Sequence, residues 1–204
     1  MVRFFIKVLI TALAASLATG SGASAQDGAV PENLSEALSV DLSNTIPITN
    51  FDFLEGVWQI DSRHQRSRMD DDQVWLQNDL ETEYQILLGG LVALNQTYGA
   101  FNGRPMHGFM MRTYDPDIDQ WTMQWMSRGY PHLTEQVRGR FRDGFGEFLG
   151  TEVNQGRTFA MRFRWYRLGD DHAYWEQSYQ DPDSGEWEVN WMMELRRAAS
   201  DNTD

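Results

Sequence analysis

Phe51-Asp52-Phe53-Leu54-Glu55-Gly56-Val57-Trp58 is the stretch from which the fold can be read. Phe51, Phe53 and Leu54 place apolar bulk just ahead of the first strand. Gly56, lacking a Cβ, permits a sharp change of backbone direction or a close approach by another group. Val57-Trp58-Gln59-Ile60-Asp61 then begins a strand. An indole fixed where the chain enters a barrel can fill its closed end, where its large apolar area is most effective. By itself the stretch also fits an ordinary turn followed by a buried strand.

Downstream the chain reads as aromatic-rich strands cut by turn signals. Strands are expected near 57–66, 73–87, 91–100, 105–114, 120–127, 136–142, 146–153, 157–168, 173–180 and 187–196. The breaks are chemically explicit: Leu88-Gly89-Gly90, Phe101-Asn102-Gly103, Asp115-Pro116-Asp117, Arg142-Asp143-Gly144, Asn154-Gln155-Gly156, Gly169-Asp170-Asp171 and Asp181-Pro182-Asp183-Ser184-Gly185. Short strands joined by tight turns favour antiparallel neighbours, and a long series without helices suggests an up-and-down barrel, which removes open edges. Alternation sets the register. Phe159, Met161, Phe163 and Trp165 share one face, with Arg162 and Arg164 on the other. Trp121, Met123 and Trp125 oppose Thr122 and Gln124. Trp187, Val189, Trp191, Met193 and Leu195 are expected to oppose Glu188, Asn190, Glu194 and Arg196. The Asp-Pro-Asp turns at 115–117 and 181–183 each precede a Trp, at 121 and 187, and read as two similar hairpins rather than a repeat.

The two ends of this strand series carry a resemblance. A Gly-x-Trp at the first strand and an Arg near the end of the last resembles the lipocalin and calycin pattern. That resemblance implies an Arg lying across the Trp ring at the barrel base, in cation–π geometry. The matching residues are Gly56, Trp58 and either Arg196 or Arg197, with Arg196 taken as the partner. The segments FDFLEGVW, LLGG, RTYDP, QWTMQW, GRFRDGFGEF, RFRWYR, YWEQSYQD and GEWEVNWMMELRR resemble an uncharacterised family of secreted bacterial domains of unknown function, over about residues 50–197. The family resemblance implies a lipocalin-like barrel and no particular activity.

The N-terminus has the pattern of an export signal. Arg3 and Lys7 precede an apolar run from Val8 to about Ala18, and Ala23-Ser24-Ala25 offers an A-x-A cleavage site. The run is too short for a membrane span. No Cys follows it, so a lipid anchor on Cys is excluded. The expected organisation is a signal peptide at 1–25, a leader at 26–50, a barrel at 51–197 and a disordered tail at 198–204. Leu34 and Leu38 share a helical face and Pro31 suits a first turn; a short helix and a flexible leader both fit 26–50, and the leader is preferred. The expected compartment is the periplasm or the exterior.

Composition narrows the chemistry. The 204-residue chain has no Cys and a formal net charge of −13. Thiol chemistry and Cys-ligated metals are excluded. The negative charge disfavours nucleic acid and anionic membranes as partners, and no membrane insertion is expected after signal cleavage. No Lys follows Lys7, which removes Schiff-base chemistry from the mature chain. Asp115, Asp117 and Asp119 alternate like a calcium loop, but Gln120 and Met126 stand where Gly and a bidentate Glu are required. None of His64, His107, His132 and His172 forms a metal pair at i, i+2 or i+4. No G-x-S-x-G occurs. No metal and no cofactor is implied.

Two placements compete for Arg138, Arg140, Arg142, Arg162 and Arg164. Outside, they would form cross-strand pairs with Glu in water, each worth under roughly 1 kcal/mol. Inside, they would hold a ligand carboxylate. Burying several charges costs several kcal/mol each unless they are paired, which favours the outside. With eight Trp and ten Met in the chain, the apolar face exceeds what a minimal core needs. Barrels of about ten strands often hold one small ligand. The sequence therefore points to an all-β, lipocalin-like barrel that binds a small apolar or amphipathic molecule. Its candidate lining is Trp58, Trp121, Trp125, Phe163, Trp165, Trp175 and Trp191. The alternatives are an enzyme using barrel-mouth His132, Glu176 and Arg164, and a protein-interaction module. The ligand's identity and the oligomeric state are not encoded in any motif.

Overall fold

The structure, a computed structural model, describes residues 40–67, 74–154 and 156–199. The signal peptide, residues 26–39 of the leader and most of the C-terminal tail lie outside the described residues. Residues 40–43 form part of a separate N-terminal unit, and everything from Asn44 onward belongs to the barrel unit. Asn44–Asn50 is more than a tether. The Ile46 amide donates to Arg167 O at 2.8 Å, the Ile48 amide donates to Gly144 O at 3.2 Å, and the Ile48 side chain is buried.

Ten antiparallel strands close into a barrel: β1 (Gly56–Gln65), β2 (Trp75–Leu87), β3 (Val92–Phe101), β4 (Arg104–Asp115), β5 (Gln120–Ser127), β6 (Val137–Arg142), β7 (Phe145–Asn154), β8 (Arg157–Arg167), β9 (His172–Gln180) and β10 (Trp187–Arg197). Each strand pairs with its sequence neighbours, and β1 pairs with β10 to complete the ring. The turn residues explain the breaks. Asn102 and Gly103 adopt positive φ between β3 and β4, as do Asp143 and Gly144 between β6 and β7, which is what two-residue hairpins require. Asp115 Oδ1 accepts from the Asp117 amide at 3.0 Å, and Asp181 Oδ1 accepts from the Asp183 amide at 2.8 Å, so the two Asp-Pro-Asp turns share one geometry.

One end of the barrel is plugged. The 3-10 turn Asp52–Leu54 carries Phe51 and Leu54 into the interior, both fully buried. The Phe51 ring meets Trp121 at 4.9 Å, Phe141 at 4.8 Å and Phe148 at 5.6 Å. Trp58 is 0 % exposed, and its indole N–H donates to Leu54 O at 2.7 Å. Burying one indole removes roughly 150–250 Å2 from water, worth on the order of 5 kcal/mol at about 25 cal/mol per Å2.

The partner of Trp58 is Arg197, not Arg196. Trp58 stands directly opposite Arg197 in the β1–β10 ladder, so both point inward, while Arg196 stands opposite Gln59 and points out. The Arg197 guanidinium lies 4.3 Å from the Trp58 ring centroid. It donates to Glu55 O at 2.5 Å and to Phe53 O at 3.0 Å. Arg196 instead pairs with Glu194 at 2.6 Å, with its side chain 62 % exposed. Gly56 has φ +106°, and a Cβ there would come within 3.1 Å of Arg197 Nη1. Glycine is therefore required by backbone conformation, and a Cβ would also crowd the Arg197 guanidinium.

The last strand departs from its expected alternation. A bulge between Val189 and Trp191 shifts the β9–β10 register by one residue. Trp191, Met193 and Leu195 face inward. Trp187 and Val189 face outward, and the Arg162 guanidinium lies 4.5 Å from the Trp187 ring. Asn190, expected on the outer face, is 1 % exposed and accepts from Gln177 Nε2 at 2.9 Å.

Replacing Arg197 with Met should lower the free energy of unfolding by about 2–3 kcal/mol, the scale of charge-assisted hydrogen bonds. Arg196→Met should stay within about 0.5 kcal/mol of the parent, as exposed substitutions do. Urea unfolding of the two variants distinguishes them, and equal midpoints would mean that the base contact does not hold the plug.

Candidate functional site

The ring has unequal ends. At the plugged end, Trp121 and Trp165 pack with Phe51, Trp58 is tied to Leu54, and all three are almost fully buried. These three belong to the floor. At the opposite end, Met106, Met110, Trp125 and Trp191 point inward yet stay only half-buried. The side chain register places them there: Met110 stands opposite Trp125, and Trp191 opposite His64. Between floor and mouth, Phe163 and Trp175 meet at 5.1 Å, and Trp175 meets Trp191 edge-on at 5.6 Å. The predicted lining thus divides: Trp125, Phe163, Trp175 and Trp191 form the upper wall, while Trp58, Trp121 and Trp165 close the bottom.

Polar groups hold the upper wall in place. Trp191 Nε1 donates to Ser62 Oγ at 2.9 Å. The His64 ring stacks on Phe101 at 4.4 Å, with Asn78 Nδ2 at 3.2 Å from its Nδ1. Gly108 leaves room for Trp125, since a Cβ there would fall 1.9 Å from the indole. The indole therefore occupies the space that a side chain at position 108 would fill.

The interior also holds a charge that the sequence reading did not anticipate. Arg112 is 3 % exposed, on the inward face of β4 between Met110 and Tyr114. Its Nη1 donates to Asn95 Oδ1 at 2.6 Å. Three rings surround the guanidinium: Phe51 at 5.0 Å, Tyr84 at 5.3 Å and Trp165 at 5.7 Å. Burial pushes its pKa below the usual guanidinium range, with the Tyr84 hydroxyl opposing that shift. Burial likewise pushes Tyr84 up. Asn95 is fixed in turn, donating to Thr82 Oγ1 at 3.0 Å and to Thr97 Oγ1 at 3.1 Å. A signal existed: Met110, Arg112 and Tyr114 alternate in step with Gly108 on one face.

The proposed enzyme residues do not assemble at the mouth. Arg164 and Glu176 are direct cross-strand neighbours on the outer face of β8 and β9. Arg164 Nη2 pairs with Glu147 at 2.8 Å across β7. His132 sits exposed in the loop after β5, with the Tyr130 ring at 5.8 Å. Catalysis by His132, Glu176 and Arg164 acting together is therefore set aside. The outward placement favoured for Arg162 and Arg164 matches the pleat, because Phe163 and Trp165 point in.

Glu176 is nonetheless unusual for an outer-wall carboxylate, being 9 % exposed beside Tyr174 and Tyr166. Burial raises its pKa, against the opposing pull of Arg164, the Tyr174 hydroxyl and Arg162. Burial and the neighbouring Glu176 together push Tyr174 up as well.

No protein-family model matches the chain, and no curated protein does. Among solved structures, S-type phycobiliprotein lyase CPES from Guillardia theta superimposes with a TM-score of 0.50 at 9% identity, over 74% of this chain and 91% of that one. The barrel is lipocalin-like. Rv2717c from M. tuberculosis gives a TM-score of 0.49 at 12% identity, over 73% of this chain and 95% of that one. At these identities the likeness concerns the fold alone.

The raised Glu176 pKa has a stability consequence. The folded protein holds this proton more tightly than the unfolded chain, so stability falls as pH rises from the ordinary carboxyl range through the folded-state pKa. Glu176→Gln should therefore melt higher than the parent at neutral pH. The gap should close as the solution is acidified below the ordinary carboxyl range. Thermal unfolding at several pH values checks this, and a Gln variant that melts lower at neutral pH would contradict it.

Proposed function

We propose that this protein is an exported binding barrel for a small apolar or amphipathic molecule, acting in the periplasm or outside the cell. The observation that carries this reading is the asymmetry of the interior. One end is filled by Phe51, Leu54 and Trp58, all fully buried. The other keeps inward-facing Trp125, Trp191, Met106 and Met110 in partial contact with solvent. A core that served only stability would bury such side chains completely, since each exposed indole or thioether forgoes favourable transfer from water. Aromatic and Met side chains around a concavity suit ligands of variable shape, because Met adapts and indoles offer flat apolar area with a polar edge.

The wall is anchored rather than loose, which limits the ordering cost of binding. The Trp191 indole is tied to Ser62, and Trp125 rests on Gly108. The N-terminal Arg3, Lys7, apolar run and Ala23-Ser24-Ala25 pattern supports the export part of this reading.

Tryptophan fluorescence should shift saturably on titration with at least one of a set of hydrophobic dyes, a fatty acid series and haem. Trp191→Ala should weaken that binding about five- to thirtyfold, the equivalent of about 1–2 kcal/mol. Trp121→Phe should lower stability while leaving affinity intact. Flat titrations across the whole set would remove the binding function and leave the barrel as a structural or interaction module.

A further inference from the structure

Arg112 makes little sense as a structural residue. A guanidinium carries five N–H donors. Among the described residues it hydrogen-bonds to Asn95 Oδ1 and to the Tyr84 hydroxyl, and its Nε–H has no partner. No carboxylate of the described residues pairs with it. The faces of Phe51, Tyr84 and Trp165 attract the cation, but neither they nor the Tyr84 hydroxyl satisfies the Nε–H. An uncompensated buried charge is costly, and a Met or Leu would fill the same volume without that cost.

The surroundings are also arranged around the charge. Asn95 presents its oxygen to Arg112 because its amide nitrogen is committed to Thr82 and Thr97. Thr97 Oγ1 donates to Thr82 Oγ1 at 3.1 Å, and Thr82 Oγ1 donates to Gln96 O at 3.0 Å. This chain of hydrogen bonds, with the Tyr84 hydroxyl, fixes the guanidinium and leaves its Nε–H for another acceptor. Arg is the residue suited to such a task, since its planar fork matches a carboxylate and it stays charged at all accessible pH.

We propose that Arg112 is the anchor for the carboxylate of a ligand bound inside the barrel, head group down and apolar body toward the mouth. This rests on the binding function proposed above and narrows it to small organic acids. The register sets the ligand's reach. From Arg112 to Met106 at the mouth, β4 runs on the order of 20 Å at about 3.3 Å per residue, or about 15 Å along the barrel axis after strand tilt. A medium-chain fatty acid or a two-ring aromatic acid spans that distance. Each would lie along Met110 and the Trp125 indole.

Decanoic acid, methyl decanoate and decan-1-ol separate the possibilities, titrated at mildly alkaline pH into the full-length protein, Arg112→Met and Arg112→Gln, with tryptophan fluorescence and calorimetry as readouts. The acid should bind the parent about ten- to hundredfold more tightly than the ester or alcohol, as a charge-assisted contact implies. Either substitution should bring the acid down to the level of the ester while leaving the ester unchanged. Equal affinity of acid and ester for the parent would overturn the anchor and leave the binding barrel standing. So would an acid preference that survives in both variants. Failure of all three probes, together with flat titrations of the wider hydrophobic set, would remove both readings. The parent's acid-to-ester ratio decides the matter even where the substituted proteins do not fold.

Discussion

The contact between Arg197 and the turn below Trp58 sets the geometry of the whole barrel. A single guanidinium covers an indole face and takes the carbonyls of Phe53 and Glu55. Those carbonyls belong to the turn that inserts Phe51, so the last strand grips the segment that fills the floor. It does so across the β1–β10 ladder that closes the ring. Floor, seam and first strand are thereby one unit. The Trp58 N–H, satisfied by Leu54 O, removes the polar cost of sealing an indole inside.

With one end sealed this way, the interior grades from apolar to polar and back. Phe51, Trp121, Phe141 and Phe148 make an aromatic layer. Above it lies the Arg112–Asn95–Thr82–Thr97 network, and above that the half-buried aromatic and Met wall. A polar layer between two apolar ones is energetically expensive unless each member is satisfied. The threonines and Asn95 meet that condition through one another. Arg112 does not, because its Nε–H has no partner among the described residues.

Much of the architecture was legible because turn chemistry is local. Asn-Gly, Asp-Gly and Asp-Pro-Asp mark hairpins whatever surrounds them, so all ten strands stand close to their expected positions. The inward set of β8 was equally plain, with Phe159, Met161, Phe163 and Trp165 against charged alternates. What escaped was set by partners far away in the chain. Arg196 and Arg197 are adjacent and chemically identical, and only the register against Trp58 tells them apart. Asn190 looks like an outward polar residue until the bulge turns it in. Arg112 violates the expectation that charge faces water, and that expectation hid it despite the clear alternation of Met110 and Tyr114. The division of the Trp set into floor and wall also depends on which end Phe51 plugs, which no window of a few residues contains.

The seam between first and last strands bears on how the molecule is made. Until Arg197 is available, nine paired strands would present two open edges, each a row of unmatched amides and carbonyls able to capture another chain. The seam contacts join residues more than a hundred positions apart, a topology that folds slowly. Synthesis from the N-terminus delivers β1 first and its partner last. The half-made barrel is therefore the chain's most aggregation-prone stage, and it ends only when β10 pairs with β1.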